Sequence, residues 1–168
     1  DGTANLDAVD IDGAVDIAGN LTVDGGTIKL DGNYPTGSNN VALGNTALDD
    51  GSLSGGNNTA IGSAALSSTT SGADNTAVGF NVLSTNQTGS SNTAIGKSAL
   101  SLNTGGSNVA VGRSALENNS TASNNTAVGK DALIANTTGH SLVAVGDSAL
   151  KTNTTALANT AVGRAALE

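Results

Sequence analysis

The sequence predicts an all-β protein, namely a repetitive β-solenoid or β-roll preceded by a short β shaft. Three observations support this prediction. A nine-residue phrase returns about every 17 residues, each copy has glycine at its fifth position, and aromatic residues are almost absent. A unit of this length suits one coil of a solenoid, in which the strands of successive coils pair at about 4.8 Å. We therefore expect residues 40–168 to form a stack of eight coils.

The repeated phrase is clearest in "NTAIGKSAL" at residues 92–100, which returns as "NVAVGRSAL" at 108–116 and "NTAVGKDAL" at 125–133. In all eight copies the third position is Ala, the fourth is Val, Ile or Leu, and the ninth is Leu. The fifth is always glycine, at Gly44, Gly62, Gly79, Gly96, Gly112, Gly129, Gly146 and Gly163. Positions that do not vary between copies show what the repeated structure requires.

Alternation along a strand assigns these positions to two faces. Positions two and four share one face, with Thr or Val and a branched aliphatic residue, while position three places only Ala on the other. We expect Ala94 to permit the close approach of a second surface. Ile95 and Leu100 are expected to fill the core, and Gly96 to end the strand with positive φ or close backbone contact. An amphipathic helix is disfavoured by the glycine and the β-branched residues in each copy.

Residues 1–39 form a second predicted region, an Asp/Gly-rich hexad-repeat β shaft with a junction at 32–39. Gly13, Gly19 and Gly25 are six residues apart, and each step offers two apolar residues, which indicates short strands joined by tight turns. Five spaced aspartates raise the hypothesis of a calcium site: Asp10, Asp12, Asp16, Asp24 and Asp31. Their spacing matches no common calcium loop, so turn formation and solubility are the preferred interpretation.

A single coil offers a poor core, because each unit contributes only two larger aliphatic residues and two Ala. Three chains wound around a common axis would bury both faces of the strands. Repeats of six residues are likewise too short to close a coil alone. The sequence therefore predicts an intertwined parallel homotrimer, and a monomeric solenoid stays open as the alternative.

Composition argues against several classes of function. The net charge of −8 repels phosphate backbones, so we do not expect nucleic-acid binding. Cysteine is absent, and no apolar run approaches the ~20 residues of a membrane helix, so we expect no disulfide and no membrane insertion. The single histidine, His140, has no distinctive nucleophile beside it. We therefore predict that the chain is not an enzyme and binds no cofactor or metal.

The sixth position of the repeat is the candidate recognition site. It places Lys97, Arg113 and Lys130 in successive coils, and such a row could bind sulfated or sialylated glycans. The plainer interpretation is a solvated edge whose cations pair across chains with Asp131, Asp147 or Glu117.

Other repeated polar residues have simpler explanations. Thr recurs at position two in five copies and suggests an ice-binding surface, but three copies have Val and strand propensity is sufficient. The Asn-x-Ser/Thr sequons are expected by chance in a chain so rich in Asn and Thr. The polar stretches between copies, including 84–91, 117–124 and 134–141, would supply weak multivalent contacts.

The phrase "NTAIGKSAL" resembles the head repeat of YadA-like trimeric autotransporter adhesins, which has a "SVAIG" type motif. It is also similar to phage and prophage tail-fibre repeats, in which "NTAVG" units follow Asp-Gly-rich hexads like residues 10–32. The resemblance implies a left-handed parallel β-roll in a homotrimer, located outside the cell on a virion tail fibre or a cell surface. It also implies a rigid rod that presents polar loops for attachment to a host surface or its glycans.

The period of about 17 residues differs from the shorter period of the adhesin heads, so their loop geometry and ligands are not transferred to this chain. The alternative function, from a different class, is a secreted monomeric β-solenoid such as an ice-binding or matrix protein.

Overall fold

The computed structural model describes residues 38–168, and this part of the chain is an all-β parallel β-solenoid without a helix. Eight three-residue strands pair in chain order within one sheet, each parallel to the next. They are β1 (Val41–Leu43), β2 (Thr59–Ile61), β3 (Thr76–Val78), β4 (Thr93–Ile95), β5 (Val109–Val111), β6 (Thr126–Val128), β7 (Val143–Val145) and β8 (Thr160–Val162). Residues 1–37 of the predicted hexad shaft and junction, including the aspartates considered for calcium, lie outside the described residues. Within 38–168, nothing helical is long and apolar enough to span a membrane.

Each coil has three parts, which the fourth coil illustrates. The strand side runs from Asn92 to Gly96, the turn segment from Lys97 to Leu100, and the polar loop over 101–107. Numbering the coils by their strands gives seven complete coils and the beginning of an eighth. Successive strands pair in register, so that Ala94, for example, lies opposite Ala110. Each repeat position therefore forms a column along the axis of the solenoid. The predicted stack of coils is confirmed, and it extends about 34 Å at about 4.8 Å per strand.

The core is narrow and lies inside each coil. Ala94, Ala99 and Leu100 have no exposed surface, and the same positions in the other coils form one continuous buried cluster. The Ala column is therefore covered by the turn segment of its own coil. The expectation that Ile95 fills this core is wrong for the single chain. Ile95 follows Ala94 in the strand, so its side chain points to the opposite face, and it is 41% exposed.

The glycine after each strand is needed for two reasons. Its φ lies between 125° and 139° in all eight coils, a region that other residues rarely adopt. In addition, a Cβ at Gly96 would lie only 2.6 Å from the carbonyl oxygen of Gly112 in the next coil. Gly163 differs, because the closest atom to its Cβ position is Ala166 Cβ at 3.9 Å. Glycine is thus required in every coil by its positive φ, and also by close backbone contact wherever a further coil is stacked on it.

Three further positions per coil have a left-handed backbone although they are not glycine. They are the residue before the strand side, the seventh repeat position, and the ninth-position Leu, whose φ is 48° to 54°. Positive φ is strained for a bulky residue. It is stabilised here because the Leu side chain is buried in coils 1 to 7 and its N–H bonds to the next coil, as Leu100 N–H does to Ala115 O at 3.0 Å. This conformation was not predicted from the sequence, since Leu is not a turn residue.

Candidate functional site

The charged column is the set of sixth repeat positions, where the strand side passes into the turn segment. Its members are Asn45, Ser63, Phe80, Lys97, Arg113, Lys130, Asp147 and Arg164. The glycine before each member ends the strand, and Lys97, Arg113 and Lys130 are exposed on the outside of the coil. The structure thus brings these three predicted site residues into one row on consecutive coils.

The cations of this column have partners within the same chain. Arg113 Nη2 donates to both carboxylate oxygens of Asp131 at 3.0 Å, and Lys130 Nζ lies 3.4 Å from Asp131 Oδ2. Lys97 Nζ lies 5.8 Å from the centre of the Phe80 ring, within the range of cation–π attraction. Of the acids considered from the sequence, Asp131 is therefore a direct partner of the column.

The charges of the column are only partly balanced. The Asp131 side chain is 13% exposed, whereas Arg113 and Lys130 are each 54% exposed. One carboxylate between two cations leaves an excess of positive charge at the surface. Exposed charges of this kind attract anions weakly, and salt screens them. The column is suited to weak, salt-sensitive contact with an anionic polymer.

A column of buried asparagines at the first repeat position forms what we call the strand-side Asn ladder. Asn92 Nδ2 donates to Gly105 O at 2.9 Å, which closes its own coil, and Asn92 Oδ1 accepts the N–H of Asn108 in the next coil at 3.0 Å. The same pair of bonds recurs in coils 1 to 6, at Asn40, Asn58, Asn75, Asn92, Asn108 and Asn125. Leu142, which is fully buried, interrupts the ladder in coil 7.

A second row, the loop-side Asn ladder, lies at the third position of the polar loops. Its members are Asn86, Asn103, Asn119, Asn136 and Asn153. Each donates Nδ2 to a carbonyl two or three residues later, as Asn119 does to Ala122 O at 2.8 Å. The first four are fully buried. They stabilise the loops, and the sequons at Asn86, Asn119 and Asn136 are inaccessible in the folded chain.

This role of asparagine was not predicted from the sequence, because the loop asparagines were explained there only as chance sequons. A signal was present, since Asn occupies one position in five polar loops whose other residues vary. A side chain that only faced water would not be so regular. The exposed loop residues that remain available for contact include Gln87, Thr88, Asn118, Asn124 and His140.

The outer face of the sheet is apolar and contains no charged side chain. Its second column is Thr or Val, and its fourth column is Val, Ile or Leu. Five members of the fourth column are between 36% and 69% exposed: Leu43, Ile61, Ile95, Val128 and Val162. Parallel sheets are normally covered on both faces. Here the chain covers the inner face, and the outer face is open to a partner.

The remaining candidate groups in the part of the chain that the structure describes are the acidic side chains and His140. No three His, Asp or Glu side chains there are grouped so that they could hold a metal ion. His140, the one histidine of the sequence, is exposed in a polar loop. Comparison with protein-family models, with curated proteins and with solved structures finds no match for this chain. The function must therefore be inferred from the geometry of the chain itself.

Proposed function

We propose that this chain is a structural and adhesive segment of an extracellular fibre, such as a phage tail fibre or a trimeric surface adhesin. Three parallel copies pack their outer sheet faces around a common axis. The observation that supports this most strongly is the exposed aliphatic column on a charge-free parallel sheet. Burying such a column stabilises an assembly by about 25 cal/mol for each Å² of apolar surface.

A further copy of the same chain suits this face for two reasons. Parallel strands in each copy are separated by the same distance, so the aliphatic columns of parallel copies have the same spacing along the axis. The strands bear no charge, so nothing on the face needs an oppositely charged partner. The number three follows from the resemblance to trimeric fibre repeats and from the hexad segment, which is too short to close a coil alone.

The proposed mechanism is mechanical. Backbone hydrogen bonds join each coil to the next, and the strand-side Asn ladder links coils 1 to 7, so the stack behaves as a rod. The charged column and the exposed loop residues repeat along it and would be multiplied by three copies. Weak contacts repeated in this way give strong attachment through effective concentration. Sulfated or sialylated glycans are the class of ligand that fits Lys97, Arg113 and Lys130.

Mass in solution tests the assembly. We expect about 48 kDa by sedimentation equilibrium, three times the 16.1 kDa of one chain. The double variant Ile61→Lys, Ile95→Lys places two charges on the outer face and should give a folded monomer. A matched control, Thr88→Lys with Thr121→Lys, adds the same charge to exposed loop positions and should keep the trimer.

Two outcomes contradict the proposed assembly. One is a wild-type mass of 16.1 kDa. The other is an Ile61→Lys, Ile95→Lys double variant that folds and still assembles. Attachment is tested separately on a glycan array at low salt, where binding should weaken when Lys97, Arg113 and Lys130 are replaced by Gln. If no glycan binds, the adhesive part of the proposal fails and the structural part stands.

The second candidate is a secreted monomeric solenoid with ice-binding or matrix function. It is favoured by a column of Thr on the same outer face, at Thr59, Thr76, Thr93, Thr126 and Thr160. In this case the wild-type chain is monomeric and inhibits ice recrystallisation, and the Ile61→Lys, Ile95→Lys variant loses that inhibition. A trimer without ice activity excludes this candidate.

A further inference from the structure

Coil 4 is one residue shorter than its neighbours. Its polar loop, "SLNTGGS" at 101–107, has seven residues, whereas the loops of coils 2, 3, 5, 6 and 7 have eight. The loops can be aligned on their asparagine and on the Gly or Ala that lies two or three residues after it. In this alignment the missing residue falls between Thr104 and Gly105. The other loops have Ser or Thr there: Ser71, Thr88, Thr121, Thr138 and Thr155.

The shorter loop changes the backbone bonds at the junction between coils 3 and 4. At other junctions the fourth loop residue donates its N–H to the next coil, as Thr104 does to Ser120 O at 2.6 Å and Thr137 to Thr154 O at 2.8 Å. Gln87 is the equivalent residue in coil 3. Within residues 38–168 its N–H makes no such backbone bond, although its carbonyl accepts from coil 2.

The loop-side Asn ladder is broken at the same junction. Asn119 and Asn136 each donate Nδ2 to the preceding loop asparagine, at 2.7 and 2.8 Å. Asn103 makes no such bond to Asn86. In the described part of the chain, Asn86 Oδ1 is the one buried side-chain nitrogen or oxygen without a hydrogen-bond partner. An unpaired buried acceptor is rare in proteins and destabilises the closed state.

On the strand side the same junction is intact. β3 and β4 pair over their full length, with Ala77 opposite Ala94. The strand-side Asn ladder also continues across it, because Asn92 N–H donates to Asn75 Oδ1 at 2.9 Å. The two coils are therefore fully bonded on one side of the rod and incompletely bonded on the other.

We propose that the junction between coils 3 and 4 is a one-sided hinge, which opens on the loop side while the strand side stays paired. Opening breaks the bonds that Ser84 Oγ, Thr85 Oγ1 and Thr85 N–H donate to Ser101 O. It also lets water bond to Asn86 Oδ1 and to the Gln87 N–H, which lack the bonds that their equivalents make at other junctions. The inference concerns the stack of coils within one chain, so it holds or fails independently of the proposed fibre.

Amide hydrogen exchange distinguishes an opening hinge from a merely missing bond. Thr85 N–H bonds to Ser101 O across the hinge at 3.1 Å, and Leu102 N–H bonds to Glu117 O across the next junction at the same distance. Ala135 N–H bonds equivalently to Lys151 O at 3.2 Å. After correction for intrinsic rates, we expect Thr85 to exchange at least tenfold faster than Leu102 and Ala135. Equal protection of the three amides overturns the proposal.

Two variants change the loop length in opposite directions. Insertion of Thr between Thr104 and Gly105 restores an eight-residue loop, and exchange at Thr85 should slow to the rate of Ala135. Deletion of Thr138 shortens the loop of coil 6 and should create a second fast site in coil 5 at Asn118, whose N–H bonds to Ile134 O at 3.3 Å. A folded insertion variant in which Thr85 still exchanges rapidly contradicts the assignment to loop length.

Discussion

The strand side and the loop side of the solenoid hold successive coils together by different means. On the strand side, backbone pairing, a glycine column and buried asparagines recur with almost no change. On the loop side, the loop length changes by one residue in coil 4, and the stack continues. The strand side therefore defines the rod. The loop side can change in sequence and length without loss of the fold.

The largest effect that would distinguish the two sides is a substitution in the glycine column. Gly96→Ala combines positive φ with a Cβ 2.6 Å from Gly112 O in the next coil. Strain of about 1–3 kcal/mol adds to the overlap with a backbone that cannot move. We expect the free energy of unfolding, measured in urea, to fall by more than about 3 kcal/mol.

Gly163→Ala is the matched control for this prediction. Its φ of 128° is equally unfavourable, but no neighbouring backbone lies near the new Cβ. Only the strain should remain, so the loss should not exceed about 1–3 kcal/mol. Equal losses at the two positions would show that stacking contributes nothing to the requirement for glycine.

A smaller effect distinguishes the two Asn ladders. Asn92→Leu leaves the buried N–H of Asn108 without an acceptor, which should destabilise the chain by about 1–3 kcal/mol. Asn103→Leu leaves no backbone group unpaired, because Asn92 Nδ2 still donates to Gly105 O. The two amides that donate to Asn103 Oδ1, Asn108 Nδ2 and Asn119 Nδ2, each keep a bond to Ala122 O. Its loss in urea unfolding should be about 1 kcal/mol or less.

A natural precedent supports the milder result on the loop side. Coil 1 has Leu53 at the position of the loop asparagine, and this Leu is fully buried. If Asn103→Leu proves as damaging as Asn92→Leu, the side-chain bonds of the loops are as important as the bonds to the backbone. The two sides of the coil would then be energetically equivalent.

The sequence was sufficient to predict the coils but not what lies inside them. The period and the alternation in "NTAIG" predicted strands in register, with Ala94 and Ile95 on opposite faces. Alternation alone does not show which face is internal. The answer depends on the short distance across a coil of 17 residues, where the turn segment leaves room for Ala and not for Ile. Leu100 in a left-handed conformation also depends on neighbouring coils, which local propensity does not describe.

The candidate site was predictable to a similar extent. The row of Lys97, Arg113 and Lys130 follows from the repeat, and their exposure was expected. Pairing of Arg113 with Asp131 joins a sixth position to the seventh position of the next coil, 18 residues later. The sequence predicts Asp131 as a partner across chains, because the repeat pattern alone does not show that diagonal positions on neighbouring coils of one chain come into contact.

The smallest effect is expected in the turn segment, which lies between the two sides. Asp131→Asn removes the partner of Arg113 and Lys130, and Asn tolerates the left-handed φ of 56° at this position. Since both cations are more than half exposed, the loss in unfolding free energy should be under about 1 kcal/mol at low salt. It should disappear near about 1 M salt, where the screening length is about 3 Å.

Urea unfolding at both salt concentrations checks this prediction. Asp147→Asn is the control, because Asp147 accepts a bond from the neighbouring Ser148 and lies outside these ion pairs. A loss above about 2 kcal/mol, or one that salt does not reduce, would mean that the charged column helps to hold the coils together. A small, salt-sensitive loss has the opposite meaning. A column that contributes so little to folding can change from coil to coil, as the sixth position does between Ser63, Phe80 and Lys97. Its charges are then available for contact with an anionic surface.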